Sequence, residues 1–413
     1  MSRAGQATLF SWFVQGKGTR SSDPERHGES RLLRVGIFSS FYPEIHGGAE
    51  TSLAILLDGL RRLGLDEVLV TLSRAQSDLP IRVIRIPRFA TVPKRLKLFG
   101  MPGLNSILAN RLTKLLRENR IELLHVNDTY SLRAAAKAAK ALEIPLVLSY
   151  HNNLNIPYSS YGYPYPISSW MDSREKGLLK VASRCSVVIA DSDYIARRLV
   201  RAGLSPTCVK RIYIGGSICE WGSPPIHHDD PNIRVLSVGV MQIHKGFQDL
   251  ILAIKKLSTE GWPLDVTMVG DGPYCSKLLE LAERLGLTDR VKFVGRVSPQ
   301  KLIGLYDWCD VVVVPTITPE PFGRVAVEAM SRGRPVIGTA TGGLTEIIDN
   351  EQTGYLIPPA TPSAIAEKLL LLKNQRELVV KMGTRALEKC KMVFDQSVIT
   401  NQVFDVYRNL VSG

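Results

Sequence analysis

No stretch of the 413 residues holds the roughly 18 consecutive apolar side chains that a membrane-crossing helix needs. The expectation is a soluble protein that can still rest on a lipid surface. Cysteine is scarce and scattered: Cys185, Cys208, Cys219, Cys275, Cys309 and Cys390 include no close pair. Zinc spacing and a redox pair are thereby excluded, and single thiols of this kind fill cores and stay reduced. The N-terminus lacks a basic start, a long apolar stretch and a small-residue cleavage site, which points to the cytoplasm. Also missing are G-x-G-x-x-G and G-x-x-x-x-G-K-S/T, which argues against a nicotinamide dehydrogenase and a P-loop nucleotide hydrolase. What is present is an ordinary globular mixture, 45% hydrophobic and 22% charged. Such a chain buries a sizeable core in two or three domains rather than forming a coiled coil or staying disordered.

The net charge of +13 is unevenly spread. Residues 35–214 carry 25 Lys and Arg against 14 Asp and Glu, whereas residues 215–413 carry 21 against 22. A basic half beside a neutral one suits an anionic partner, although solvated surface charge gives the same count. Residues 88–101 interleave Arg88, Lys94, Arg95 and Lys97 with Phe89, Leu96, Leu98, Phe99 and Met101. That mixture fits an interfacial segment on anionic lipid, and equally an amphipathic helix packed on a sheet. No nucleic-acid motif accompanies the charge, so nucleic acid is not an expected partner. Residues 1–33 read as a disordered tail around one short cluster, Leu9-Phe10-Ser11-Trp12-Phe13-Val14.

From Arg34 onward, short runs rich in Val and Ile alternate with helical patterns. Strands are predicted at Val35–Ser39, Val68–Leu72, Arg82–Ile86, Leu123–Val126, Leu146–Ser149, Val187–Ala190 and Arg211–Ile214, with helices such as Glu50–Leu63, Asn105–Glu118 and Leu132–Leu142 between them. Apolar runs of four or five suit strands buried on both faces, the mark of a parallel, doubly wound α/β sheet. Gly215 to Asn232 breaks the rhythm with Gly-Gly, Pro-Pro, His-His and Asp-Asp. The rhythm restarts at Ile233–Val238 and continues through Asp265–Val269, Val291–Val294, Asp310–Val314, Pro335–Gly338 and Tyr355–Ile357. The expected layout is an α/β domain over 34–214, a linker over 215–232 and a second α/β domain over 233–394, facing each other across a central cleft.

Glycines cluster at the strand-to-helix turns. Gly47-Gly48 precedes the first helix, where a ligand can approach the backbone and the helix start favours anionic groups. Lys245-Gly246 opens a helix after the strand ending at Gly239, and Lys245 there is either a phosphate-holding point charge or a solvated cation. Gly270 lies in the turn Gly270-Asp271-Gly272-Pro273. The most informative segment runs from Val314 to Met330, a Pro-rich loop with Glu320 at the mouth of a helix starting near Phe322 and Glu328 two turns inside it. An acid at a helix start complements the dipole. An acid among Val325, Val327 and Ala329 does not, and needs hydrogen-bond donors, which ribose hydroxyls could supply. Thr341-Gly342-Gly343 makes a further glycine turn.

In order and spacing, Pro43-x-x-x-Gly47-Gly48-x-Glu50, Gly239-x5-Lys245-Gly246, Val269-Gly270-Asp271-Gly272-Pro273, Glu320-x7-Glu328 and Thr341-Gly342-Gly343 resemble the family-4 retaining glycosyltransferases of GT-B fold, glycosyl transferases group 1, over residues 34–410. The resemblance implies two Rossmann-like domains and transfer of a sugar from a UDP-, GDP- or ADP-sugar with retained anomeric configuration. It implies no cofactor and no obligatory metal, a glycan or lipid-linked acceptor, and a final helix over 395–413 crossing back to the N-terminal domain. Carried over by position, Glu328 binds the donor ribose and Glu320 the transferred sugar. Lys245 neutralises the departing diphosphate, and the amides of Phe322 and Gly323 support sugar or phosphate. Gly47, Gly48, Gly270, Gly342 and Gly343 line the donor. His151, which alone reads as a loop histidine, matches a family histidine near the anomeric carbon, and the four tyrosines between Asn152 and Trp170 offer an acceptor loop. Two departures stand out. Val240 occupies the place of a family arginine, for which Arg324 or Arg296 could substitute, and Gly215-Gly216-Ser217-Ile218 replaces an Asn-Gly-Val-Asp-like linker. The alternative to an active enzyme is a catalytically weak sugar-nucleotide-binding subunit that needs a partner.

Overall fold

The four consecutive valines Val311–Val314 show why the strands form where they do. Val311 and Val313 point into one apolar cluster and Val312 and Val314 into another, so each face of the strand is covered. Side chains alternate across a strand, and only a sheet with helices on both sides buries every one of them. The computed structural model describes residues 33–40, 48–72, 81–86, 102–153, 159, 165, 167–214, 221–224, 232–262 and 264–412. Residues 1–32, Gly47, the basic segment 88–101 and residues 215–220 and 225–231 of the expected linker lie outside the described residues.

In chain order the first elements are β1 (Arg34–Ser39), α1 (Gly48–Arg62), β2 (Asp66–Thr71), β3 (Arg82–Arg85), α2 (Pro102–Glu118), β4 (Leu123–Val126), α3 (Leu132–Leu142), β5 (Leu146–Tyr150), α4 (Ile167–Ala182), β6 (Val187–Ala190), α5 (Asp193–Arg201) and β7 (Val209–Arg211). Then follow β8 (Ile233–Val238), a 3-10 turn (Ile243–Lys245), α6 (Phe247–Thr259), β9 (Leu264–Val269), α7 (Cys275–Arg284), β10 (Val291–Phe293), α8 (Pro299–Trp308), β11 (Val311–Val314), α9 (Arg324–Ser331) and β12 (Val336–Thr339). The last are α10 (Leu344–Ile347), β13 (Gly354–Ile357), α11 (Pro362–Asn374), α12 (Arg376–Val393) and α13 (Gln396–Val411).

One sheet has the order β3-β2-β1-β4-β5-β6-β7 and the other β10-β9-β8-β11-β12-β13. The pairs of β8 with β9 and β11, and of β11 with β12, are parallel, as are those of β1 with β2 and β4. Both sheets are doubly wound, so the order of strand addition reverses between β1 and β4 in one and between β8 and β11 in the other. Loops at the carboxyl ends of such a pair are where ligands bind in this sheet type.

Packing divides the chain into two compact units. The first comprises Met1–Tyr150, Val181–Val188 and Val403–Gly413, and the second His151–Lys180 and Ile189–Gln402. Inside the first, fully buried His125 on β4 shares hydrogen bonds with the Tyr407 hydroxyl of α13 and, at 2.8 Å, with Ser149 Oγ on β5. Inside the second, the two clusters on either side of β8–β13 are continuous apolar layers, one lined by α6, α7, α11 and α12 and the other by α8, α9 and Phe394. Among the described residues, no helix is long and apolar enough to cross a membrane.

Candidate functional site

The loops leaving β8 and β11 touch at the reversal point of the second sheet. The β8 loop ends in Gly246, whose φ of +73° is left-handed and whose absent Cβ would stand 1.8 Å from the Pro315 carbonyl oxygen. Only glycine allows that approach. The backbones are then joined: Ile317 N–H donates to the His244 carbonyl at 2.7 Å, and Thr316 Oγ1 donates to the same oxygen at 3.2 Å. This contact sets Lys245 beside Glu320, with Nζ donating to Oε1 at 2.5 Å. Both are largely buried, so the pair is a charge-assisted hydrogen bond in a shielded place. His244, buried beside them, has its pKa pushed down from 6.5 to about 4 by burial and by the Lys245 charge, against an opposing pull from Glu320.

Glu320 is fixed from behind by the loop after β12. Gly343 N–H donates to the Glu320 carbonyl at 2.8 Å, and Gly342, at φ +59°, leaves no room for a Cβ, which would lie 2.2 Å from the same oxygen. Gly323 stands at φ +115° and caps α9, so the helix starts at Arg324, two residues after the sequence-predicted start. A residue in that conformation cannot continue a helix, and the first-turn amides of α9 follow directly behind it. Phe322 buries its ring against Tyr213 and Phe394, which anchors the loop and leaves its backbone at the helix mouth.

Glu328, 9% exposed, is the acid inside the helix. The donors it needs come from the protein: the Tyr306 hydroxyl donates to Oε2 and Arg324 Nη2 to Oε1, each at 2.9 Å. An ionised carboxylate has about four acceptor positions, and these two contacts take one on each oxygen. Arg324 thus has at least one of its five N–H donors on Glu328. The other proposed substitute, Arg296, is strongly exposed and lies 3.9 Å from Asp271. Val240 is half exposed at the edge of the β8 loop. Gly270 takes φ +134° against the Gly239 carbonyl and uses its own N–H on the Gly295 carbonyl at 2.9 Å, so it packs the turns together without offering a donor.

His151, just past β5, turns Nδ1 to the buried Asp191 carboxylate. Nearby, Asn153 Nδ2 donates to the Pro319 carbonyl and Ser192 Oγ to the Pro321 carbonyl, both at 2.5 Å, on either side of Glu320. Lys245, Glu320, Phe322, Gly323, Arg324, Glu328, Gly342 and Gly343 are thus brought together, with His151 tied to the same loop through its neighbours. Gly48 opens α1 in the first unit. Sequence reasoning missed Tyr306, Asp191, Ser192 and His244. Tyr306 lies on the helix before β11 and its partner on the helix after it, and no spacing rule connects the two.

The profile for glycosyl transferases group 1 matches residues 223–389, and that for Glycosyltransferase Family 4 matches residues 46–215. The chain belongs to the family-4 GT-B glycosyltransferases. An uncharacterized glycosyltransferase of Methanocaldococcus jannaschii is 39% identical over 182 residues, 43% of this chain and 45% of that protein. The aligned part of this chain therefore spans under half of that relative's length. A phosphatidyl-myo-inositol mannosyltransferase of Mycobacterium leprae is 24% identical over 390 residues, 92% of this chain and 98% of that one. Among solved structures, Anabaena HepE in complex with UDP and glucose shares the fold at a TM-score of 0.72 and 23% identity, over 92% of this chain and all of that one.

Proposed function

We propose that this family member is a retaining glycosyltransferase that moves a hexose-type sugar from a nucleotide-diphosphate-sugar to a lipid-linked, glycolipid or polysaccharide acceptor, working from the cytoplasm or the inner face of a membrane. The observation that carries the reading is the Lys245–Glu320 pair at the reversal point of the sheet, beside the Glu328 carboxylate that Tyr306 and Arg324 hold. In the reaction the anomeric C–O bond to the diphosphate breaks and the acceptor oxygen bonds to that carbon, its proton leaving on the diphosphate. Negative charge then grows on the leaving group, where the Lys245 ammonium and the first-turn amides of α9 can meet it. Glu320, released by Lys245 as the phosphate arrives, takes up sugar hydroxyls, and Glu328 accepts from the ribose. The reading needs no metal, and turnover in EDTA checks that. A UDP-sugar is the first donor to try because the Anabaena neighbour holds UDP and glucose. A lipid acceptor is supported by the name of the Mycobacterium leprae relative.

The test is a thermal-shift panel of UDP-, GDP- and ADP-sugars. A ligand at a hundredfold excess over Kd stabilises the folded state by about 2.7 kcal/mol. A shift with one donor that Glu328→Ala abolishes supports the reading, with Glu320→Ala expected to lower turnover more than affinity. Equal loss of donor affinity in both variants overturns this division of roles. The exposed Val240 favours the second reading, a weak nucleotide-sugar-binding subunit that depends on a partner. Val240→Arg separates them: donor binding in the parent chain without turnover, and turnover gained in the variant, favours the second.

A further inference from the structure

Asp191 is the first residue past β6 and has no solvent exposure, yet the reaction above gives it no task. Its carboxylate stands 2.9 Å (Oδ2) and 3.0 Å (Oδ1) from His151 Nδ1. The backbone on either side is locked. Ser192 caps α5, accepting from Ile195 N–H while donating to the Pro321 carbonyl, and the amides of Asp193 and Tyr194 each donate to the Glu346 carboxylate at 2.7 Å. Asn153, two residues past His151, donates to the Pro319 carbonyl. The pair therefore sits on two segments that both hold the loop of Glu320, and the imidazole cannot turn without breaking its contact with the carboxylate.

We infer that Asp191 is the positioning residue of His151: it keeps the ring proton on Nδ1, fixes the ring plane, and so makes Nε2 the nitrogen able to meet a sugar hydroxyl. This rests on the glycosyl-transfer reading. An ionised carboxylate only accepts, which places the proton of the contact on nitrogen, and a histidine whose other nitrogen is held by a carboxylate has a set tautomer and orientation. Burial raises the Asp191 pKa, and the His151 charge works against that rise.

The test uses the full chain labelled with 15N-histidine, the His151 signals being assigned from their loss in His151→Gln. In the wild type, Nδ1 is expected to carry a proton throughout pH 6–9. In Asp191→Asn, whose amide N–H can donate to Nδ1, the ring proton is expected to move to Nε2. With a donor that turns over, Asp191→Asn should lower kcat by about 10- to 100-fold with the donor KM changed by less than about twofold. A wild-type Nδ1 without its proton overturns the inference even if the variant does not fold. Unchanged His151 signals in the variant, or a raised KM with kcat kept, do the same. If the wild type turns over no donor, the transfer reading fails on its own, and the imidazole spectrum still decides whether Asp191 holds the ring.

Discussion

Tyr306 is fully buried and its hydroxyl ends on Glu328 Oε2, so Tyr306→Phe removes one donor from a shielded carboxylate. A hydrogen bond to a charged group contributes about 1.5–3 kcal/mol. The variant should lose stability of that size in denaturant unfolding and bind its donor more weakly, as Glu328 is left less firmly placed. His244 carries a different prediction. Its folded pKa is near 4 against an ordinary 6.5, so between those values the unfolded chain binds more protons and stability rises with pH. The contribution is complete above pH 6.5 and fades as pH falls toward 4. The melting temperature of His244→Gln should therefore depend less steeply on pH than that of the wild type across this window; parallel curves would show that the ring is not held neutral. Glu320 and Glu328 were legible in the sequence from their spacing at a strand-to-helix junction. Arg324 was visible too, and its i,i+4 relation to Glu328 explains the ion pair between them.

At the scale of elements, the glycine turns have two distinct causes, and substitution separates them. Gly342 and Gly286 both have left-handed φ, but a Cβ on Gly342 would collide with the Glu320 backbone whereas one on Gly286 meets nothing within 4 Å. Gly286→Ala should cost only the conformational penalty of about 1–2 kcal/mol. Gly342→Ala should cost more and also displace Glu320, so that turnover falls well beyond any change in melting temperature. Equal effects on activity would show that the close approach of the two loops is unimportant. Most elements could be read directly: β4, α3, β6 and β8 occupy the stretches predicted for them, the strands because they are short and mostly apolar and α3 because its buried Leu132, Ala135, Ala138 and Ala139 recur at helical spacing between Arg133, Lys137 and Lys140. The strand expected at Arg211–Ile214 is instead β7, Val209–Arg211. The apolar residues that suggested the later register, Tyr213 and Ile214, pack against the Phe322 cluster, and an exposed edge strand carries little pattern of its own. What stayed hidden was any contact between elements far apart in sequence, such as Asp191 with His151 or Tyr306 with Glu328. Periodicity describes one element at a time.

Across the whole molecule, the first unit is assembled from three separated stretches, and the last of them brings Tyr407 to His125 across a sequence separation of 282 residues. Removing residues 403–413 takes a hydrogen-bond partner from a fully buried histidine and uncovers the apolar surface under Val403 and Val406. Amide hydrogen exchange should report the loss locally, with protection falling in β4 and β5 and persisting in β8, β9 and β11. A uniform loss in both sheets would show that the two units do not unfold separately.

The late return of Val403–Gly413 also bears on how the protein is made. On the ribosome, strands β1 to β5 emerge first and then wait while all of Ile189–Gln402 is translated. At roughly 5–20 residues per second that interval is on the order of 10–40 s. During it His125 has no Tyr407 to meet and part of the first core lies open, so a nascent chain of this kind is a natural client for chaperones that bind apolar surface. A message cut short anywhere before codon 403 leaves that core unfinished, however well the second unit has folded.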